Sequence, residues 1–380
     1  ARPRTGGPWR CNATTVEPSG SAVHSRGIYH FPLELKLLSD EDLQCSSLGN
    51  SSTSWGTPDL AYLFEQEAQM PFSLGQFVWT GTDYIGEPTP YHTKNSYFGQ
   101  VDTAGFPKDS YYHFQAAWTD AEIAPMVHLF PHWDWNPGQI IDVQAVSNAS
   151  AVELFLNGES QGVRDLSQTE GKIVAHWQVA YASGEITCAA YNASGEVVAD
   201  DRLASFGNAE ALRADAYPEE LGPDDLLFIE ISAVDAAGQP VANANNRVGI
   251  RLEGPAQLLG MDNGDSTDYD PYKPCPRRLF SGKLLAMVQP TGTGEIRVQL
   301  ESPGLEGADL SCRVTNPLNK PFEPMQPAVQ LSDEAVPSDH SIRKLELTTD
   351  ADFTITPERA TLTVRANPQP AHYDDKRILW

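Results

Sequence analysis

The sequence predicts an α/β segment followed by an all-β region, and three observations support this fold class. Residues 1–124 combine helical apolar spacing with short apolar runs, whereas alternating apolar and polar runs separated by turn residues dominate after residue 125. The chain has 380 residues, of which 40% are hydrophobic and 20% are charged. This length and composition are typical of a globular protein with about two to four domains.

Two helices are predicted within the α/β segment. Pro58–Glu67 places apolar residues at helical spacing, with a proline near the start and an acidic residue in the first turn. Asp109 is positioned to cap a second helix that runs through Tyr111, Phe114 and Trp118.

The first β-region, residues 125–207, begins at Met126–Trp135 and has the alternation of a half-buried sheet. The dipeptide Asn157-Gly158 predicts a tight hairpin turn, because both residues tolerate a left-handed backbone. The predicted strands are Ile140–Val146, Ala151–Leu156, Ala175–Val179 and Glu185–Tyr191.

A second β-region, residues 208–303, contains the predicted strand Leu226–Asp235 and a strand that ends in the acidic turn of Leu258–Asp265. The turn offers hard oxygen ligands for Ca²⁺ from Asp262, Asn263 and Asp265. The twelve-residue spacing and the distal glutamate of a calcium loop are missing, so a structural turn is the favoured interpretation and no metal site is predicted.

Residues 304–338 are rich in proline, serine and acidic residues, which predicts a linker. Residues 339–380 then begin another β-module, with strands at Ile342–Leu347 and Ala360–Ala366. Because about forty residues are too few to bury a complete sandwich core, we expect this last module to be truncated.

Charge and cysteine content exclude several classes of partner. The net charge of −25 disfavours nucleic acid and anionic membrane surfaces and favours a neutral substrate. The five cysteines lack the spacing of a zinc site, and no run of eighteen apolar residues is present that could span a membrane. Neither a cofactor nor a metal is predicted.

Phe77–Tyr91 is the most informative stretch, because an apolar run ends there in a loop of aromatic, acidic and proline residues. Trp79 offers a flat apolar face to a sugar ring, and Asp83 and Glu87 offer acceptors for sugar hydroxyls. The alternative is a core tryptophan followed by two solvated acids.

This stretch resembles the last barrel strand of glycoside hydrolase family 2, in the branch of bacterial β-galactosidases and β-glucuronidases. The resemblance continues through Lys94–Asp109 and Tyr111–Trp118, and Val152–Gly158 is similar to the immunoglobulin-like domain that follows the barrel in that branch. It implies the C-terminal part of a (β/α)8 barrel over residues 1–124, then two immunoglobulin-like β-sandwich domains and the start of a third.

The resemblance implies hydrolysis of terminal non-reducing β-D-galactosyl residues by a retaining double displacement, with a β-galactoside or related oligosaccharide as substrate. A complete barrel takes about 250 residues. The chain also has no Asn-Glu dipeptide, which is where the family has its proton donor. We therefore expect this chain to be inactive without the missing N-terminal part of the barrel.

Glu17 is the candidate for the nucleophile. Ser25–Pro32 is similar to the end of the family's nucleophile pattern, and Glu17 lies near the expected distance before Arg26. Its neighbours are Val16 and Pro18, where the family has serine and threonine. The alternative is a solvent-exposed glutamate in an aberrant leader. We hypothesise that residues 1–16 are not native barrel sequence.

The other site residues follow from the same resemblance. Trp79 would form the floor of the subsite for the cleaved sugar, Asp83 would bind a sugar hydroxyl, and Glu87 and Tyr91 would lie further along the loop. The order Lys94-Asn95 differs from the Asn-x-Lys motif of some glucuronidases, which favours a neutral galactoside.

Two other functions stay open on sequence alone: β-glucuronidase or another family 2 specificity, and a non-catalytic array of carbohydrate-binding β-sandwiches. Trp133 and Trp135 are predicted to pack between domains, and His128 and His132 are predicted to be structural.

Overall fold

The structure is a computed structural model in which the chain divides into two compact units, residues 1–205 with 265–269, and residues 206–264 with 270–380. Neither helix among the described residues is long and apolar enough to cross a membrane. The structure describes residues 60–75, 77–78, 80–89, 93–96, 99–137, 139–218, 220–222, 224–273, 276–316, 321, 344–349 and 364–369.

The first unit contains the two predicted helices, α1 (Leu60–Ala68) and α2 (Asp109–Trp118). They pack together through Phe64 and Phe114, whose ring centroids lie 5.2 Å apart in an edge-to-face arrangement. Between the helices runs a short parallel pair of strands, β1 (Gly86–Thr89) and β2 (Asn95–Ser96).

The prediction that Asp109 caps α2 is wrong. The N-cap residue is Lys108, which has an extended backbone and makes no capping hydrogen bond with its side chain. Asp109 is the first helical residue, and its Oδ1 atom lies 2.9 Å from Nε2 of His128. The carboxylate still lies at the positive end of the helix dipole, where an acid is favourable.

The same unit contains a β-sandwich of two antiparallel sheets, in the strand orders β3-β4-β7 and β6-β5-β8-β9. Its seven strands are β3 (Val127–Phe130), β4 (Ile140–Ser147), β5 (Ala151–Leu156), β6 (Glu159–Asp165), β7 (Val174–Ala180), β8 (Glu185–Tyr191) and β9 (Val197–Ala204).

The four strands predicted by alternation are confirmed within one or two residues. Strand β8 alternates buried and half-buried side chains along its length. The predicted turn connects β5 to β6, with Asn157 at φ 51° and Gly158 at φ 85°. Strands β6 and β9 were not predicted, because most of their side chains are exposed or half-buried and their sequences alternate poorly.

The prediction that two tryptophans pack between domains is wrong. Trp133 and Trp135 are 1% and 5% exposed and belong to the apolar core of the first sandwich. Each indole N–H donates to a backbone carbonyl, from Trp133 to Ala182 and from Trp135 to His132. These hydrogen bonds satisfy the polar atom of a large buried ring, which is what a core tryptophan requires.

The second unit is built around another β-sandwich, with the antiparallel sheets β10-β11-β15-β13 and β14-β12-β16-β17. Its core contains aliphatic side chains from both sheets. Its strands are β10 (Ala211–Tyr217), β11 (Leu227–Val234), β12 (Arg247–Glu253), β13 (Ala256–Asp262), β14 (Arg277–Arg278), β15 (Lys283–Pro290), β16 (Gly294–Glu301) and β17 (Ala308–Val314).

The predicted linker, residues 304–338, begins too early, because it contains strand β17. This strand pairs with β16 over its full length, from Ala308 opposite Leu300 to Val314 opposite Gly294. Composition suggested a linker, but alternate residues of β17 pack against the sandwich core, with Val314 buried. In the last module, the described residues form an antiparallel pair, β18 (Lys344–Thr349) and β19 (Val364–Gln369).

Candidate functional site

Along the chain, the candidate site lies between α1 and α2 of the first unit. The structure describes two of its predicted residues, Asp83 and Glu87. Glu17, Trp79 and Tyr91, the other residues predicted for the site, lie outside the described residues. The described part of the site is therefore the loop that leads from Asp83 to Glu87, together with the residues that hold this loop.

Residues 80–83 are held by backbone pairing to residues 99–101. Thr82 and Val101 form a parallel bridge, and the Asp83 N–H donates to the Val101 carbonyl at 2.8 Å. The N–H groups of Gln100 and Val101 both donate to the Gly81 carbonyl at 3.0 Å. These bonds fix the direction in which the chain leaves Asp83.

The Asp83 carboxylate is buried against Lys108. The Lys108 Nζ atom lies 2.8 Å from Asp83 Oδ1, and the exposed fractions of the two side chains are 0% and 1%. The Gly99 N–H donates to the same Oδ1 at 2.7 Å. Asp83 Oδ2 is also buried and has no hydrogen-bond partner among the described residues.

Burial dominates the protonation of Asp83. Removing the carboxylate from water raises its pKa from 3.8 to about 7, although the Lys108 charge and the hydrogen bonds from Lys108 and Gly99 lower the pKa. Burial therefore disfavours ionisation of the Asp83 carboxyl group, whereas the neighbouring Lys108 ammonium group favours ionisation of that carboxyl group.

A tight turn returns the chain from this pairing to Lys108. Asp102 Oδ1 accepts hydrogen bonds from the N–H groups of Ala104 and Phe106, at 2.9 Å and 3.0 Å. Gly105 adopts φ 87° within the turn, a conformation that suits glycine. The Lys108 N–H then donates to the Gln100 carbonyl at 2.9 Å.

Sequence reasoning did not find Asp102 or Lys108. Asp102 could have been suspected from the turn-forming residues that follow it. Lys108 carried no local signal, because its partner Asp83 lies 25 positions earlier in the chain.

Beyond Asp83, the loop presents Glu87 to solvent. The Tyr84 N–H donates to Ser96 Oγ and the Ser96 N–H donates to the Tyr84 carbonyl, both at 3.0 Å. Glu87 is exposed, and the Tyr84 hydroxyl donates to its carboxylate. Glu87 adopts φ 46°, which is uncommon for a residue other than glycine and often marks a functional position.

Asp265, the last residue of the acidic turn in the sequence, belongs with residues 266–269 to the first unit. The Lys94 N–H donates to the Ser266 carbonyl at 2.9 Å. Asp265 Oδ1 accepts from the N–H and hydroxyl of Thr267, and burial raises the Asp265 pKa. These bonds form a hydrogen-bonded turn, and no cluster of three metal-binding side chains occurs among the described residues.

His128 links α2 to the sandwich of the first unit. Its ring stacks on Tyr112 at 3.7 Å between centroids, and its Nε2 atom meets Asp109. Asp201 lies 3.8 Å from Nδ1 and accepts a hydrogen bond from the Leu129 N–H. Burial raises the Tyr112 pKa to about 12, so the phenol stays neutral. These contacts give His128 a packing role.

Two family models match the chain. Residues 211–311 match the model of glycoside hydrolase family 2 C-terminal domain 5. Residues 138–199 match a domain of unknown function, DUF4982. The first match runs from β10 into β17, and the second runs from β4 through β8 to the start of β9.

Relatives of known sequence and structure agree with these matches. The chain is 37% identical over 312 residues to β-galactosidase BoGH2A of Bacteroides ovatus, which covers 78% of this chain and 36% of that protein. A putative β-glucuronidase of Formosa agariphila is 33% identical over 229 residues, covering 56% of this chain and 21% of that protein.

A solved β-glycosidase from Bacteroides vulgatus aligns with a TM-score of 0.65 and 29% identity, over 70% of this chain and 34% of the other. The chain thus spans about a third of the length of BoGH2A and of this β-glycosidase. Together, these matches support the assignment of the chain to the C-terminal portion of a glycoside hydrolase family 2 protein.

Proposed function

We propose that this chain is part of a retaining β-D-galactosidase that removes terminal non-reducing galactosyl residues. In this proposal, residues 1–124 form the last part of a (β/α)8 barrel. Two immunoglobulin-like sandwiches follow, at 125–207 and at 208–314 once β17 is included, and residues 339–380 begin a third such module.

The observation that carries the proposal is the 37% identity to a β-galactosidase over 78% of this chain. The geometry of the loop supports it. Strand segments that pair in parallel end at Asp83, and the loop beyond them exposes a carboxylate at Glu87 in a left-handed conformation. Barrel enzymes build their active sites from loops that follow the parallel strands.

In this site, Trp79 would form the apolar floor under the sugar, and Glu87 and Tyr91 would line the loop. Asp83 would contribute from beneath. Its Oδ1 is held by Lys108 and Gly99 and its Oδ2 is buried, so the proposed bond to a sugar hydroxyl would have to use an oxygen that this structure shields from solvent. Glu17 remains our candidate for the nucleophile.

Retaining hydrolysis needs a second carboxyl group about 5–5.5 Å from the nucleophile to protonate the leaving oxygen. The family places this group after an asparagine, and the sequence has no Asn-Glu dipeptide. We propose that another part of the barrel supplies the proton donor. The exposed Phe72, Leu74 and Phe77 give that part an apolar face to cover.

β-Glucuronidase is the second candidate activity, because a putative β-glucuronidase is 33% identical over 56% of the chain. A glucuronide carries a carboxylate, which a net charge of −25 disfavours at long range. The order Lys94-Asn95 also lacks the pairing motif named above. We therefore favour the neutral galactoside.

The test compares this chain with a longer natural polypeptide that contains it and a complete barrel. Release of 4-nitrophenol is measured from the β-D-galactopyranoside and the β-D-glucuronide. We expect galactoside turnover by the longer protein and none by this chain alone. Turnover by this chain would disprove the claim that it lacks the proton donor. A preference for the glucuronide would overturn our assignment of the sugar.

A longer protein that cleaves neither substrate but binds galactosides would support the non-catalytic alternative. Proton NMR of the first-formed sugar then tests the stereochemistry. The β-anomer must appear first if the mechanism is retaining.

A further inference from the structure

Lys108 is a cation whose side chain is fully buried. Its exposed fraction is 0%, and its Nζ atom meets Asp83 Oδ1 at 2.8 Å. A buried ion pair is often no more stabilising than apolar residues of similar volume, because both charges lose their hydration. The pair therefore calls for an explanation other than stability.

The position of the pair suggests that explanation. Asp83 is the residue at which the chain stops pairing with residues 99–101 and starts the loop that carries Glu87. Lys108 directly precedes α2, whose residues Ser110 and His113 are buried. The ion pair therefore ties the start of the loop to the start of a packed helix.

Two further contacts make this attachment stiff. The Gly99 N–H donates to the same carboxylate oxygen at 2.7 Å. A Cβ atom on Gly99 would lie 2.2 Å from the Asp83 nitrogen, so the two backbones are in direct contact. Downstream, Tyr84 is held to Ser96 by two hydrogen bonds, which transmit the position of Asp83 to the residues before Glu87.

We propose that Lys108 is a positioning residue for the site, one that holds Asp83 and thereby the Tyr84–Glu87 loop without touching the substrate. This inference rests on the proposed function for its catalytic consequence, while its structural part stands on the contacts alone. A site that must hold its groups within about half an ångström needs such a supporting layer.

The experiment uses the double variant Asp83→Asn/Lys108→Met, which removes both charges and leaves neither partner alone in the interior. Lys108→Met by itself leaves the Asp83 carboxyl group buried without its partner, so it serves as the destabilised reference. Lys283→Met is the control. Its Nζ atom lies 2.6 Å from Glu230 in a pair that is 38% and 26% exposed.

Hydrogen exchange over residues 80–89 is measured in this chain, together with Tm. We expect the double variant to recover most of the Tm lost in Lys108→Met, yet to exchange at least tenfold faster than wild type over residues 80–89. Lys283→Met should leave that exchange unchanged. Wild-type exchange in the double variant would overturn the inference.

The catalytic consequence is measured in the longer polypeptide with 4-nitrophenyl β-D-galactopyranoside. We expect kcat/KM to fall at least tenfold in the double variant, with most of the loss in kcat. A comparable fall in Lys108→Gln, which keeps the Asp83 carboxyl group, would separate the role of Lys108 from that of Asp83. Full activity together with recovered Tm would mean that the pair is only structural.

A wild-type protein that cleaves no glycoside would refute the proposed function, and the exchange measurement would still decide the role of Lys108. If the double variant does not fold, Lys108→Gln is measured in the same way, since it keeps a donor on a shorter side chain. Wild-type exchange in that variant would likewise overturn the inference.

Discussion

The sandwich of the first unit and the polar segment, defined as residues 80–113, are stabilised by different means. The sandwich interior is apolar, with Ile141, Val152, Leu154 and Ile186 all 0% exposed. The buried side chains of the polar segment are mostly polar or charged, and include Asp83, Thr93, Asn95, Ser96, Gln100, Asp102, Lys108, Asp109, Ser110 and His113.

The two regions therefore differ in how well they tolerate substitutions and in how strictly they specify the positions of their side chains. An apolar core is held by area removed from water, which is non-directional and accepts changes of shape at moderate cost. A polar interior needs a partner at a set distance for each group, so it specifies one arrangement. The polar segment is also the part that carries the candidate site, which agrees with this distinction.

The largest effect is expected in the apolar region. Leu154→Ala removes a fully buried side chain from β5 and leaves a cavity, so the free energy of unfolding should fall by about 2–5 kcal/mol. Val163→Ala is the control, because this residue of the neighbouring β6 is 52% exposed and should lose only about 0.5 kcal/mol. Urea titration measures both. Equal losses would show that the sandwich core does not stabilise this unit.

The polar segment is tested next by a matched pair of glycines. A Cβ atom on Gly99 would lie 2.2 Å from the Asp83 nitrogen and 2.4 Å from the Thr82 carbonyl carbon. Because these are backbone atoms, Gly99→Ala should destabilise the protein by about 1–3 kcal/mol or more. Apart from its chain neighbours, no atom of the described residues lies within 4 Å of a Cβ added to Gly81, so Gly81→Ala should change stability by at most about 0.5 kcal/mol.

Thermal unfolding and hydrogen exchange over residues 80–101 compare the two glycine variants. Loss of protection in Gly99→Ala but not in Gly81→Ala is the expected result. Similar behaviour of both variants would contradict the close backbone approach.

The third expected effect is a pH dependence in the polar segment, and it is spread over several pH units. Burial raises the Asp83 pKa from 3.8 to about 7, so the folded state binds this proton more tightly than the unfolded state. The contribution to stability is therefore full below about pH 4 and is lost as the pH rises to about 7. The slope cannot exceed about 1.4 kcal/mol per pH unit.

Subtracting the unfolding free energy of Asp83→Asn from that of wild type between pH 4.5 and 7.5 isolates this term. The difference should decrease as the pH rises. Asp165→Asn is the control, because Asp165 is exposed and hydrogen bonds from Ser167 lower its pKa, so its difference should stay flat in that range. A flat difference for Asp83 as well would mean that its carboxyl group is not buried in solution.

Local patterns predicted the parts of the fold that local physics determines. The alternation of apolar and polar residues predicted β4, β5, β7 and β8, and Asn157-Gly158 predicted the β5–β6 turn. Strands β6, β9 and β17 were not predicted, because their sequences alternate weakly or have the composition of a linker, and pairing with neighbouring strands decides their structure. In the second sandwich, β10, β12 and β14–β16 were not singled out either.

The candidate site stays a prediction. The sequence singled out Asp83 and Glu87 by residue type and by the apolar run before them. It gave no sign that Asp83 is buried, because burial depends on residues 99–108 folding back over it. Trp133 and Trp135 were misplaced because the sequence alone does not distinguish a tryptophan in a domain core from one at a domain boundary.

The sequence by itself determined the β-rich architecture and the position of the two helices, and it singled out the stretch proposed to carry the site, because alternation, helical spacing and turn residues act over a few positions. Only the tertiary structure decided that Lys108 lies against Asp83 and that β17 closes the second sandwich. Those contacts join residues that are far apart in the chain, and their energy depends on what else is excluded from water around them.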